Sequence, residues 1–118
     1  METKLLPEIT EPLVVFGGPY SNLQALKAMH DICNEAAILP EQIICTGDIV
    51  AYCAHPDESI EFVRDWGIHV IAGNVELQLA AEQADCGCNF TEGSVCDALS
   101  NKWYAFTKQQ ITQKQIQW

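Results

Sequence analysis

Residues 13–22 read LVVFGGPYSN. Leu13, Val14, Val15 and Phe16 form a short unbroken apolar run with two β-branched side chains, the mark of a strand buried on both faces of a sheet. Gly17, Gly18 and Pro19 end it. Ser21 and Gln24 then stand at capping-box spacing, and Leu23, Leu26, Met29, Cys33 and Ala36 recur at helical intervals, so a helix is expected to open at Ser21. An α/β protein places its chemistry on such a strand-to-helix turn. Here the turn, FGGPYSN, holds no acid, base or metal ligand stronger than a tyrosine.

The same pattern repeats twice downstream. Ile43, Ile44 and Cys45 make a second short apolar strand, followed by TGDIVAY and then by AHPDE. A second helix is expected from Pro56, with Asp57 and Glu58 in its positive first turn, Ile60, Val63 and Trp66 facing inward, and Gly67 as its stop. Residues 68–72 read as a third strand closed by Gly73 and Asn74, and 76–84 as a short helix. The order β, α, β, α, β, α with short connections implies a mostly parallel sheet covered by helices, with right-handed crossovers. It also brings three loops, FGGPYSN, TGDIVAY and GNVE, to the carboxyl edge of the sheet, where such folds bind ligands. From residue 85 the texture changes to DCGCNFTEGSVCD, a Cys/Gly-rich loop over 85–97, with helical segments expected over 96–106 and 112–118. There is no internal repeat, and 1–118 reads as a single domain. The last helix meets Trp118 without a cap, so the natural chain is expected to continue.

Composition narrows the function classes. The 118 residues are 48% hydrophobic and 19% charged, which suits a folded globule. Sixteen acids against six bases give a net charge of −10, which argues against nucleic acid and anionic membrane partners. A phosphate handled by this chain would need a cation or backbone amides as its partner. No apolar run approaches 18 residues, and METKLLPEITEP is too acidic and proline-broken for a signal peptide, so a soluble cytoplasmic protein is expected. Of six cysteines, Cys33, Cys45 and Cys53 fall in or beside apolar elements and read as reduced.

The strand-end loops carry the candidate chemistry. TGD after a buried strand puts the carboxylate of Asp48 at the sheet edge, and GN after the next puts the amide of Asn74 beside it. A carboxylate and an amide oxygen converging from neighbouring strands are hard ligands for a divalent cation. Gly-Asp and Gly-Asn are also ordinary turn dipeptides. The loop GGPYSN offers backbone amides at a helix amino terminus, which hold phosphate without a metal. Gly18, Tyr20, Ser21, Asn22 and the nearby His55 are the candidate substrate contacts. Cys86, Cys88 and Cys96 form a thiol cluster that suits zinc, redox chemistry or local packing. His30 reads as a surface residue and His69 as a core one.

GGPYSNLQAL, TGDIVAYCAHPDESI and IAGNVELQL together resemble the amino-terminal half of a calcineurin-like metallophosphoesterase, whose pattern runs DxHGN, GDxV, then GNHD or GNHE. The likeness covers nearly all of residues 13–80. It implies one half of an αββα sandwich and, in the family, two ions of manganese, iron or zinc that bridge an attacking hydroxide. Asp48 matches the bridging aspartate and Asn74 the asparagine ligand. Gly18 stands where the family has its first aspartate, Tyr20 where it has a histidine, and Val75 where it has the histidine that assists the leaving group. The resemblance implies metal-dependent hydrolysis of a small phosphate mono- or diester by the full-length form. The departures leave open a catalytically silent anion-binding or regulatory relative, and a folded fragment. Half a sandwich would bare an apolar sheet face, so a chain of this length alone is expected to form homo-oligomers.

Overall fold

The computed structural model describes residues 2–84 and 90–118. Three short strands, β1 (Val14–Phe16), β2 (Ile43–Cys45) and β3 (His69–Val70), form a parallel sheet in the order β1-β2-β3. Val14 lies opposite Ile43 and Phe16 opposite Cys45, while Ile44 and Cys45 face His69 and Val70. Helix α1 (Leu23–Glu35) follows β1, a 3₁₀ turn at Pro40–Gln42 precedes β2, α2 (Pro56–Trp66) follows β2, and α3 (Asn74–Ala80) follows β3. Two further helices, α4 (Val95–Gln110) and α5 (Gln113–Gln117), complete the described chain. The expected α/β alternation and parallel sheet are what the molecule has.

Local chemistry corrects several boundaries. Helix α1 is capped by Asn22, whose Oδ1 accepts from the Ala25 N–H at 3.0 Å, and not by Ser21. Ser21 is a residue too early, and its hydroxyl is used elsewhere. Helix α2 starts at Pro56 and closes on Gly67 in the left-handed region (φ +77°), as its punctuation predicts. Helix α3 begins at Asn74, two residues before the expected start, because the Glu76 carboxylate reaches back to the Gly73 N–H at 2.8 Å and caps the first turn. Helix α4 opens at Ser94, whose Oγ accepts from the Asp97 N–H at 3.1 Å, and runs four residues past the predicted end at 106.

The core forms where α1 and α2 meet one face of the sheet. Val14, Phe16, Ile43, Cys45 and Val70 alternate onto that face and join Leu26, Cys33, Val63 and Trp66, with the Phe16 and Trp66 rings stacked at 6.0 Å. His30 is half-buried against this layer, its ring edge-on to Trp66 at 5.1 Å, and not a simple surface residue. The opposite sheet face differs. Val15 on β1 is 57% exposed and Ile71, just past β3, 58%, so the expected burial of the strands on both faces fails at β1 and beyond β3. Gln115 of α5 donates to Asp57 and Glu61 of α2 at 2.5 and 2.8 Å and ties the last helix back to the body.

No helix among the described residues is long and apolar enough to cross a membrane.

Candidate functional site

The loops after β2 and β3 come together as the sequence anticipates. Gly47 (φ +96°) lets them touch: a Cβ there would overlap the backbone nitrogen of Gly73 and sit 2.6 Å from the Ile71 carbonyl oxygen. The chain then turns through Asp48, itself left-handed at φ +52°. Asp48 Oδ1 accepts from the Val75 N–H at 3.1 Å. With its amide nitrogen turned toward the carboxylate, the orientation that satisfies both groups, Asn74 donates to Oδ1 and Oδ2 at 3.3 and 3.1 Å. Asp48 and Asn74 therefore converge across two loops, at the carboxyl ends of adjacent strands.

The residue that organises this convergence is Glu76, which the sequence reading did not single out. Its Oε2 accepts from the Asp48 and Gly73 N–H groups at 2.7 and 2.8 Å, and its Oε1 from Ile49 and Val50 at 2.8 and 3.4 Å. Successive N–H groups in a turn make a concave anion site, and here the chain fills that site with its own carboxylate. The signal lay in GNVE: an acid at the third helical position after a glycine has a backbone N–H within reach. Its reach to TGDIV across 28 residues had no local sign. Beneath the loop lies Cys45, fully buried, and burial pushes its thiol above the usual range, with the Glu76 and Asp48 carboxylates adding to that shift.

The loop after β1 is built differently. The Gly18, Tyr20 and Ser21 N–H groups donate to the carbonyls of Gly47, Asp48 and Ile49 at 3.0, 3.1 and 2.7 Å, and Asn22 to Pro19 at 2.9 Å. The amides expected to cradle a phosphate are thus already partnered, three of them by the neighbouring TGDIV loop. Gly18 has φ +61°, and a Cβ at that position would stand 2.7 to 2.8 Å from Cζ and Oη of Tyr20. The tyrosine ring folds over the glycine and takes the space of any side chain there. Gly18 and Tyr20 are therefore one packing unit.

The other candidate contacts fall unevenly. Tyr20 is 39% exposed at the edge. Ser21 is fully buried, its Oγ accepting from the Ala51 N–H at 3.1 Å and its carbonyl from the His55 N–H at 3.1 Å, so it joins the two loops. The Asn22 side chain is spent on the α1 cap. His55 stands half-buried at the residue before α2. Cys96 is exposed in the first turn of α4, whereas Cys86 and Cys88 lie outside the described residues.

Groups that could hold a metal are sparse among the described residues. Among the described residues no three His, Cys, Asp or Glu side chains gather where they would hold an ion. Asp48 and Asn74 offer a carboxylate and an amide, against the six or so ligands a hard divalent ion takes, and the Tyr20 ring fills the space over Gly18. The two-metal set implied by the resemblance does not fit the residues of this chain alone.

Comparison with known proteins places this geometry. No family model matches the sequence. An uncharacterized protein of Methanocaldococcus jannaschii is 40% identical over 73 residues, which are 61% of this chain and 29% of that protein. In three dimensions the chain is similar to a metallophosphoesterase from Sphaerobacter thermophilus, with a TM-score of 0.58 and 21% identity, over 91% of this chain and 40% of the other. The chain spans less than half the length of either relative. At that identity the likeness shows the fold: these residues are built like one half of a metallophosphoesterase.

Proposed function

We propose that this chain is the amino-terminal half of a phosphoesterase-type site, acting on small phosphate mono- or diesters in the full-length protein. One observation carries the reading: Asp48 and Asn74 meet within 3.3 Å at the carboxyl edge of a parallel sheet, on loops locked by Glu76. A carboxylate held there by neutral N–H donors, the Val75 backbone and the Asn74 amide, instead of by a countercharge, keeps lone pairs for a cation. Any ion bound at this edge needs ligands besides these two, and among the described residues no group of three His, Cys, Asp or Glu side chains gathers to hold it. The competing reading, an inert module that binds an anion on loop amides, loses support because those N–H groups are engaged within the chain.

The test is metal content and hydrolysis of the full-length protein, with manganese and with p-nitrophenyl phosphate and its bis ester. Bound divalent ion, turnover, and loss of about a hundredfold or more in Asp48→Ala are expected, given what removal of a key electrostatic group costs. Absence of both ion and turnover, or full activity in Asp48→Ala, overturns the proposal.

A further inference from the structure

The two loops that meet at this site carry more backbone strain than the rest of the described chain. Tyr20 (φ +52°), Ser21 (+58°), Asp48 (+52°) and Tyr52 (+45°) are all left-handed, a conformation rare for bulky side chains, which concentrates at ligand-binding positions. Two of the four are tyrosines, and strain places them side by side. Their rings meet edge to face with centroids 5.1 Å apart. Hydrogen bonds from the Tyr20 N–H to the Asp48 carbonyl and from the Cys53 N–H to the Tyr20 carbonyl, both 3.1 Å, fix the backbones that carry them. Behind them the series continues inward: Tyr52 meets Trp103 at 5.0 Å, Trp103 meets Tyr104 at 5.7 Å, and Lys108 lies over the Tyr104 ring at 5.4 Å.

This ladder has a buried end and an open end. Trp103 and Tyr104 are buried, whereas Tyr20 is 39% and Tyr52 51% exposed. Both rings also pack within the chain, Tyr20 over Gly18 and Tyr52 against Trp103, so the left-handed backbones that carry them set each ring in a fixed place at the surface. Its rigid support from α4 also means that little side-chain entropy is left to lose on binding. Aromatic faces of this kind stack on planar rings without reading sequence or charge. A neutral ring also suits the surroundings, because the chain's net charge of −10 disfavours anions except where a cation screens them.

The geometry points to Tyr20 and Tyr52 as a stacking platform for the aromatic alcohol part of the phosphate ester, a nucleobase or a simple aryl ring. This deepens the phosphoesterase reading and rests on it for the phosphate end of the ligand. The ring is held beside the Asp48 loop because Tyr20 is bonded to that loop directly, so the platform sets which esters enter and leaves their chemistry to other groups.

The test is equilibrium binding to the full-length protein, followed calorimetrically with adenosine monophosphate, phenyl phosphate, ribose 5-phosphate and adenosine. The two aromatic phosphates are expected to bind about five- to a hundredfold more tightly than ribose 5-phosphate, the range that stacking on one or two rings supplies. Tyr52→Ala should remove that preference and Tyr52→Phe should keep it, with thermal melting confirming that both variants are folded. A preference shared by both aromatic ligands marks a general aryl platform, and one confined to adenosine monophosphate and adenosine marks a nucleobase site. Equal binding of all four ligands, no binding of any, or an aromatic preference that survives in Tyr52→Ala overturns the inference. Hydrolysis plays no part in this readout, so an inactive protein that still prefers aromatic ligands sinks only the phosphoesterase reading.

Discussion

The loop after β1 and the loop after β2 occupy equivalent places in the sheet, yet one is closed by an aromatic ring and the other by a carboxylate. GGPYSN gives its Gly18, Tyr20 and Ser21 N–H groups to carbonyls of its neighbour and packs the Tyr20 ring over Gly18. TGDIV gives its Asp48, Ile49 and Val50 N–H groups to Glu76 and leaves the Asp48 side chain on Asn74 and the Val75 N–H. The first loop presents an aromatic ring at the sheet edge, and the second presents a carboxylate. Backbone hydrogen bonds can thus build two similar loops that present different side chains, because the N–H and carbonyl groups that form them do not depend on side-chain identity.

The sharpest way to break the contrast is to remove the carboxylate that holds the second loop. Glu76→Ala strips the acceptor from the Asp48, Ile49, Val50 and Gly73 N–H groups. Hydrogen bonds to a charged group are worth about 1.5–3 kcal/mol each, and shared acceptors add less than in full. We expect a loss of about 3 kcal/mol or more in urea unfolding, partly restored by added formate, which fits the vacated nest. An unchanged midpoint would mean that the loop holds its form without Glu76.

A smaller effect is expected at the first loop. Gly18→Ala must adopt φ +61° and meets the Tyr20 ring, costing about 1–2 kcal/mol for the backbone alone and more for the clash. In a Tyr20→Ala background the clash disappears and the backbone cost remains. A double-mutant cycle should therefore show favourable coupling of about 0.5–2 kcal/mol, and strict additivity would show that the two positions are independent.

The smallest effect concerns Cys45, under the second loop. Its thiol and that of Cys33 are raised above the ordinary 9.0 by burial. The folded state therefore holds these protons more tightly than the unfolded one, so their contribution is complete below pH 9.0 and fades as pH rises toward the folded-state values. Stability should decline above pH 9.0 and decline less steeply in Cys45→Val. An identical slope in the variant would remove Cys45 from the account.

Much of this was legible beforehand, and what was missed follows a pattern. The strands were readable because Val14 to Phe16 and Ile43 to Cys45 are short apolar runs closed by glycines. The glycines after β2 and β3 put Asp48 and Asn74 at the sheet edge, since a glycine after a strand is a local signal, although α3 starts two residues earlier than its pattern suggests. Ser21 was misread as a helix cap because Ser and Asn are both good caps and only the fold decides between them. It sends Ser21 inward to Ala51 and leaves Asn22 to cap. Val15 was read as buried because an apolar run does not say how many faces of a sheet are covered.

The sequence by itself determined the order of strands and helices, the parallel sheet, and the edge at which three loops end, because these follow from periodicity and punctuation within short windows. Only the tertiary structure decided that Glu76 fills the amide nest of a loop 28 residues away, that Tyr20 packs over Gly18, and that Tyr52 and Trp103 extend its ring into a ladder. Each is a contact between segments distant in sequence, or a ring orientation set by such contacts, and no local pattern encodes which distant partner a side chain will meet.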